Sequence, residues 1–319
     1  MRSFLVALRY ALAATAVVAA PLSAEPYPAK PVKLLVPLPP GGASDFVGRV
    51  IAQRLTAGLG QPVVVENKSG AGGLIGAEAG VKSQPDGYTL TLISSTYATL
   101  SSLHQLKFDP VTDITPIIQI TQGPMLVVVH PSLPVTTTQE LIAFAKAKPG
   151  KVNVASGGIS QFAFELFAHM AGIKMNQVPY RGGGPAVTDT IAGRTDLYFA
   201  SVAASLPHVR AGKLRAIAVT TSERHAAAPG VPTVAESGLL GYEVVLWHGL
   251  VGPKGLPRPV VDRINTEVTM ALKLDETRER LRADGSSPAG GTPEQFLATI
   301  KKDVELWREV AREAGLQPE

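Results

Sequence analysis

The sequence predicts an α/β fold with largely parallel sheets, divided into two lobes joined by two extended crossings. Three observations carry that prediction. Short β-type runs alternate with amphipathic helical patterns along most of the 319 residues, the rhythm of strand–helix–strand units. Two β-rich segments stand out from it: residues 117–129, interrupted by Gly123-Pro124, and residues 242–251, ending at Gly252-Pro253. Small, hydroxylic or glycine-rich turns recur at the C-terminal ends of the predicted strands, where open α/β sheets place their ligands. Two crossings between two lobes make a hinge with a cleft, and clefts between domains are favoured binding sites.

The first 24 residues stand apart. Arg2 and Arg9 precede an apolar stretch over residues 10–20, and Pro21-Leu22-Ser23-Ala24 follows with a small residue at its end. That is the pattern of a secretory signal peptide cleaved after Ala24, and it sends the protein out of the cytoplasm. The apolar run falls short of the roughly 20 residues of a membrane span. Strands are predicted at 32–36, 63–66 and 89–93, with helices beginning near Ser44 and Gly73. A strand at 125–130 leads to a helix at 138–148, which Pro149-Gly150 stops. The same unit repeats as strand 153–156, helix 161–172, strand 176–178, helix 185–192, strand 197–200, helix 203–211 and strand 216–220. Helices at 259–274 and 293–314 close the chain. Residues 25–123 with 249–319 form one lobe, and residues 124–248 the other.

Composition removes several function classes. Cysteine is absent, so no disulfide, thiolate nucleophile or Cys-ligated metal site is available. The six histidines are scattered, with no pair at metal-ligand spacing, and no metal site is expected. The formal charge of +4 includes the two leader arginines and gathers in no basic cluster, so no nucleic-acid partner is expected. No self-complementary apolar stripe is visible, which predicts a monomer. For hydrolysis there is no G-x-S-x-G elbow, and an exported α/β enzyme would need an activated nucleophile or titratable pair that the spacing does not select.

The stretch VPLPPGGASDFVGRV runs a strand into two prolines and two glycines and then into a helix. A helix N-terminus carries unpaired N–H groups and roughly half a positive charge, so it binds anions without a basic side chain. Gly41-Gly42 therefore reads as a backbone cradle for a carboxylate, with Ser44 or Asp45 as the helix N-cap. Similar junctions recur at Ser94-Ser95-Thr96, at Ser156-Gly157-Gly158-Ile159-Ser160-Gln161 and at Ser201. Singly these are caps; together they describe one polar cleft. Ser69-Gly70-Ala71-Gly72-Gly73-Leu74-Ile75-Gly76 has the spacing G-x-G-x-x-x-G and lacks the acidic partner of a dinucleotide loop. Tyr180 and Arg181 open another glycine-rich turn, where Arg181 either clamps a carboxylate or lies solvated. Trp247-His248, at the second crossing, either lines the cleft or packs the hinge. Phe162 and Phe164 read first as core, with Phe162 the one placed to see the cleft.

The stretch YPAKPVKLLVPLPPGGASDFVGRVIAQRLTAGLGQPVVVENKSGAGGLIGAE resembles the N-terminal half-domain of the Bug (TctC-like) substrate-binding proteins of tripartite tricarboxylate transporters. QPDGYTL, VVHPSLPV, AKAKPGKVNVASGG, VPYRGGGPAVTD, LPHVRAGKLRAIAVT, VPTVAESGLLGYEV and GTPEQF continue the resemblance in order to the end of the chain. It implies a periplasmic two-lobe binding protein of the type II class, without cofactor or catalysis, that closes on a small carboxylate and presents it to membrane permease subunits. It also implies that backbone amides, hydroxyls and waters hold the ligand, at loops matching residues 38–45, 94–96, 156–161, 180–182 and 200–201, which extends the cradle to Leu38 and Ala43. Many relatives carry an Asp-Asn-like pair where this chain has Ala200-Ser201, which argues against an amino-acid ligand. Ser160-Gln161-Phe162 replaces a common Thr-Thr-His, and a ring there suits a di- or aromatic carboxylate. A role as a carboxylate-sensing co-receptor in signalling fits the same features.

Overall fold

The computed structural model describes residues 27–180, 182–283 and 285–318. The leader assigned to residues 1–24 and the expectation for Arg181 lie outside the described residues. The first sheet is built by β1 (Val32–Val36), β2 (Val63–Asn67), β3 (Thr89–Ser94), the first part of β4 (Ile114–Val129), β9 (Val245–Pro253) and β10 (Ser287–Gly290). Its order is β2-β1-β3-β9-β4, with β10 pairing β4 from the other side. The second sheet takes the last residues of β4 together with β5 (Asn153–Ser156), β6 (Asn176–Pro179), β7 (Leu197–Ser201) and β8 (Arg215–Val219). There β7, β5 and β6 run parallel to one another, while β7 and β8 meet β4 antiparallel. The two sheets are joined through β4.

Sequence explains these elements locally. The apolar run VKLLV of β1 is buried at four of five positions, as a parallel strand covered on both faces should be. Helices α1 (Ala43–Leu59), α2 (Leu74–Val81), α3 (Ser95–Leu103), α4 (Thr138–Ala147), α5 (Ile159–Ala171), α6 (Gly183–Ile191) and α7 (Val202–Arg210) fill the intervals between strands. Helices α8 (Arg258–Lys273), α9 (Asp275–Ala283) and α10 (Pro293–Glu313) follow β9. One apolar core joins α1 and α8 to the first sheet through Ile51, Leu90, Ile118, Leu250 and Ile264. A second runs through Phe162, Phe167, Phe199, Tyr242 and Trp307, so α5, β7 and α10 share one interior.

Three expectations needed revision. Gly123-Pro124 does not interrupt the first crossing; β4 runs through it unbroken. Pro124 is the last residue paired with β9, and Met125 is the first paired with β7, so the missing N–H falls where the strand changes partners. The second crossing likewise continues through Gly252-Pro253. Finally, α9 and β10 were not expected. The charged run DETRERLRA of α9 buries only Thr277 and Leu281, too narrow a stripe to read as a core helix.

The glycine-rich loop before α2 has a packing role. A Cβ on Gly76 would overlap the Lys68 carbonyl oxygen and the backbone of Pro37. The glycine lets α2 pack against the end of β1, which is all the dinucleotide-like spacing reflects.

Candidate functional site

Helices α1, α3, α5, α6 and α7 each begin where a parallel or crossing-paired strand ends, after β1, β3, β5, β6 and β7. Four of them start without a side-chain cap: the N-cap residues are Gly42, Ser94, Gly158 and Gly182. Thr137 caps α4 and Thr292 caps α10, accepting from the N–H groups of Glu140 at 3.1 Å and Gln295 at 3.2 Å, while α2 and α8 also start without a side-chain cap. Ser201 caps α7 with a long bond of 3.4 Å from Ala204 N–H. An uncapped first turn leaves N–H groups without intrahelical acceptors, together with the positive end of the helix dipole. That combination binds an anion.

The loops also meet. A Cβ on Gly158 would stand 3.4 Å from Thr96 Cγ2, so the starts of α3 and α5 face each other from the two sheets. A Cβ on Gly157 would overlap the Tyr180 carbonyl oxygen, and Tyr180 N–H donates to Ser156 O at 2.7 Å. The β5–α5 and β6–α6 turns are thus held in contact by a residue without a side chain. Leu38 and Thr96, with Pro37, Gly73 and Ser94, line a cavity of about 10 Å³ between the loop after β1, α2 and α3, room for one water at most.

Some expected residues are engaged within the protein. Neither Ser44 nor Asp45 is the N-cap; Gly42 is. Asp45 sits in the first turn, where its Oδ2 accepts from Gly41 N–H at 3.0 Å and Arg49 Nε at 2.9 Å. Burial alone would raise its pKa, but these hydrogen bonds hold the carboxyl below the usual carboxylate range. Ser44 Oγ lies 3.1 Å from Nε2 of His248, whose Nδ1 lies 3.0 Å from Thr121 Oγ1. Ser160 Oγ donates to Gly157 O at 2.8 Å and accepts from Gly157 N–H at 3.1 Å, bracing its own turn. Ser95 and Ser156 are buried, Gln161 and Ser201 half-buried. Tyr180 donates its hydroxyl to Asp189 Oδ2 at 2.8 Å.

Two aromatic expectations are corrected. Phe162 is fully buried, its ring packed edge-on against Trp307 with centroids 5.8 Å apart, so it offers no surface to a ligand. Trp247 is buried against Phe296, and its Nε1–H donates to Asp303 Oδ2 at 2.6 Å. Strand alternation explains this: Trp247 faces α10 and His248 takes the other face of β9. Residues 160–162 open a helix, and Phe162 falls on its buried side with Phe164 and Phe167 close by.

Two further residues belong to the site by position, His248 already noted with Trp247 in the sequence and Tyr198 not. The Tyr198 hydroxyl would stand 3.2 Å from a Cβ on Gly183, at the start of α6. Burial pushes this hydroxyl up to about 12, so it is held as a donor. Tyr198 lies in the apolar strand run LYFA, and its place above the α6 turn brings it here.

Similarity to known proteins fits this geometry. A model of the tripartite tricarboxylate transporter family receptor, TctC, matches residues 47–316. This chain belongs to that receptor family. It is 38% identical over 308 residues to protein BugT of Bordetella pertussis strain Tohama I, covering 95% of this chain and 94% of BugT. It is 36% identical to a UPF0065 protein from the tcbD-tcbE intergenic region of Pseudomonas sp. strain P51, covering 91% and 88%. The solved periplasmic binding protein BugD superposes with a TM-score of 0.82 at 33% identity, covering 92% of this chain and all of BugD. R. palustris Rpa4515 with adipate gives 0.84 at 35%, covering 92% of this chain and all of Rpa4515. MatC of Rhodopseudomonas palustris with bound malate gives 0.81 at 30%, covering 89% of this chain and all of MatC. The fold is that of a periplasmic binding protein, as the resemblance implied. The TctC family is one of solute-binding receptors, not of enzymes.

Proposed function

We propose that this protein is a periplasmic receptor that captures a small dicarboxylate between residues 25–123 with 249–319 and residues 124–248. It closes about β4 and β9 and delivers the ligand to a tripartite tricarboxylate-type permease. The observation that carries this reading is the set of four helix starts, at Gly42, Ser94, Gly158 and Gly182, that lack side-chain caps. Ligand carboxylates would replace the missing caps, and a ligand touching both sides favours the closed state because only that state makes both sets of contacts. The adipate and malate of the two solved relatives support the ligand class. The ring that suggested an aromatic acid, Phe162, lies in the core, so the aliphatic acids keep the stronger support.

A thermal-shift panel tests this: linear dicarboxylates, citrate, aromatic mono- and dicarboxylates, amino acids and neutral amides. A ligand at about 100 times its Kd adds about 2.7 kcal/mol to stability. A rise in Tm confined to carboxylates is the expected result; a rise with neutral amides alone would sink the reading.

A further inference from the structure

The buried histidine beside the α1 turn is not accounted for by backbone capture of a carboxylate. His248 lies on β9 in register with Ser94 of β3 on one side and with Thr121 of β4 on the other. Its ring therefore stands among three adjacent strands at the edge where α1 and α3 begin. Each ring nitrogen meets one hydroxyl: Nδ1 is 3.0 Å from Thr121 Oγ1, and Nε2 is 3.1 Å from Ser44 Oγ. Burial keeps the imidazole neutral, its pKa pushed down to about 4. A neutral ring has one donor and one acceptor, so only two arrangements exist.

In the first, Nδ1 carries the proton and donates to Thr121, and Nε2 accepts from Ser44. The Thr121 O–H is then left with no acceptor among the described residues, on a side chain only 1% exposed. A buried donor left unmade is the costly outcome. In the second, Thr121 O–H donates to Nδ1 and Nε2–H donates to Ser44 Oγ. The O–H without a protein partner is now that of Ser44, 5% exposed against 1% for Thr121 and in the uncapped first turn of α1, where a ligand oxygen or water can accept it. The open helix start beside Ser44, which Thr121 lacks in mid-strand, selects the second arrangement.

We propose that His248 is a positioning residue that, through the chain Thr121 O–H to Nδ1 and Nε2–H to Ser44 Oγ, fixes the Ser44 hydroxyl as a donor toward the ligand. Ser44 then acts in the same sense as the N–H groups around it, and the site rejects groups that need an acceptor there. The inference rests on the carboxylate reading only for the ligand; the tautomer of His248 stands by itself.

The first test is nitrogen-15 NMR of the histidine side chains in the ligand-free chain at pH 7, with His248→Gln assigning the resonance. A neutral ring protonated at Nε2 is expected. Protonation at Nδ1, or at both nitrogens, overturns the proposal. The second test is calorimetric titration with adipate and with malate. Ser44→Ala should weaken the bound probe about tenfold, and His248→Gln several-fold, in folded proteins checked by circular dichroism. In the Ser44→Ala background His248→Gln should cost nothing more. An equal loss in both backgrounds would mean that the ring only supports the fold, and the proposal fails. If neither probe binds the unaltered chain, the carboxylate reading loses its support while the tautomer measurement still decides the role of His248.

Discussion

Asp45 reaches back over its own helix start: its Oδ2 accepts from the Gly41 N–H at 3.0 Å and holds Arg49 Nε at 2.9 Å. An acidic side chain thus fixes the loop proposed to receive an anion, while its charge is partly neutralised by the arginine one turn on. Asp45→Asn should lower stability by about 1 kcal/mol, the difference between a charge-assisted bond and the neutral one its amide oxygen can still accept, read from urea unfolding. The acid limb should change too. The native carboxyl is depressed below its ordinary 3.8, so its stabilising contribution is whole above about pH 4. It is lost as the pH falls from there through the lower native value. The asparagine variant should lose less stability over that window than the unaltered chain; an unchanged acid limb would show that the Gly41 and Arg49 bonds do not persist in solution.

His248 makes a second prediction of the same sign, over a broader and higher pH window. Its native pKa of about 4 lies below the ordinary 6.5, so the unfolded chain binds the extra proton first. Stability should be full above pH 6.5 and decline by about 1.4 kcal/mol per pH unit as the pH falls toward 4. His225, half-buried and also shifted down, adds to the same slope. His248→Gln should flatten the curve between pH 6.5 and 4 without abolishing it, as measured by chemical denaturation at stepped pH.

Gly157→Ala should destabilise by about 1–3 kcal/mol, the usual cost of forcing an extra methyl into packed structure, because the new Cβ would overlap the Tyr180 carbonyl oxygen. It should also weaken ligand binding by spreading the β5–α5 and β6–α6 turns. Gly230→Ala is the control: nothing lies within 4 Å of its Cβ position, it belongs to none of the helix starts, and its stability and binding should match the parent. Equal Tm values for the two variants would refute the contact.

Tyr198→Phe removes one hydroxyl beside the α6 start and keeps the ring in place. Carboxylate affinity should fall about 2- to 12-fold, the range of one hydrogen bond, with little change in Tm. Unchanged affinity would return Tyr198 to a packing role.

Phe162→Ala should cost about 3–5 kcal/mol of stability and leave the ranking of bound carboxylates as it was. A changed ranking, with stability intact, would put the ring back at the ligand.

The sequence made the alternation of strands and helices plain, because apolar runs such as VKLLV at 32–36 and TLTLIS at 89–94 are bounded by turn residues. It also placed the turns at Gly42, Ser94 and Gly158 at strand ends, since small and hydroxylic residues mark helix starts. What it did not show is which hydroxyl is free. Ser44 and Ser160 look alike in sequence, yet one meets a histidine 204 residues away and the other its own turn. Nor did it show the direction of rings. Trp247 and His248 are neighbours in sequence and opposites in space, and only the pairing of β9 with β3 and β4 decides which of them looks toward Ser44. Gly123-Pro124 read as a break for the same reason: local chemistry carries no sign of a strand changing partners.

The place of β9 between β3 and β4 sets the order in which the molecule can be assembled. The second sheet draws every strand from residues 125–219, so its pairings are complete once that stretch is present. The first sheet cannot close until Val245–Pro253 arrives and slots between strands made more than a hundred residues earlier. Non-local pairing of that kind forms slowly. During synthesis β3 and β4 therefore wait with open edges facing each other, in a gap one strand wide. Truncation anywhere before residue 245 should leave those edges unpaired and prone to associate with other chains, while a chain ending just after residue 253 already contains every strand needed to seal them.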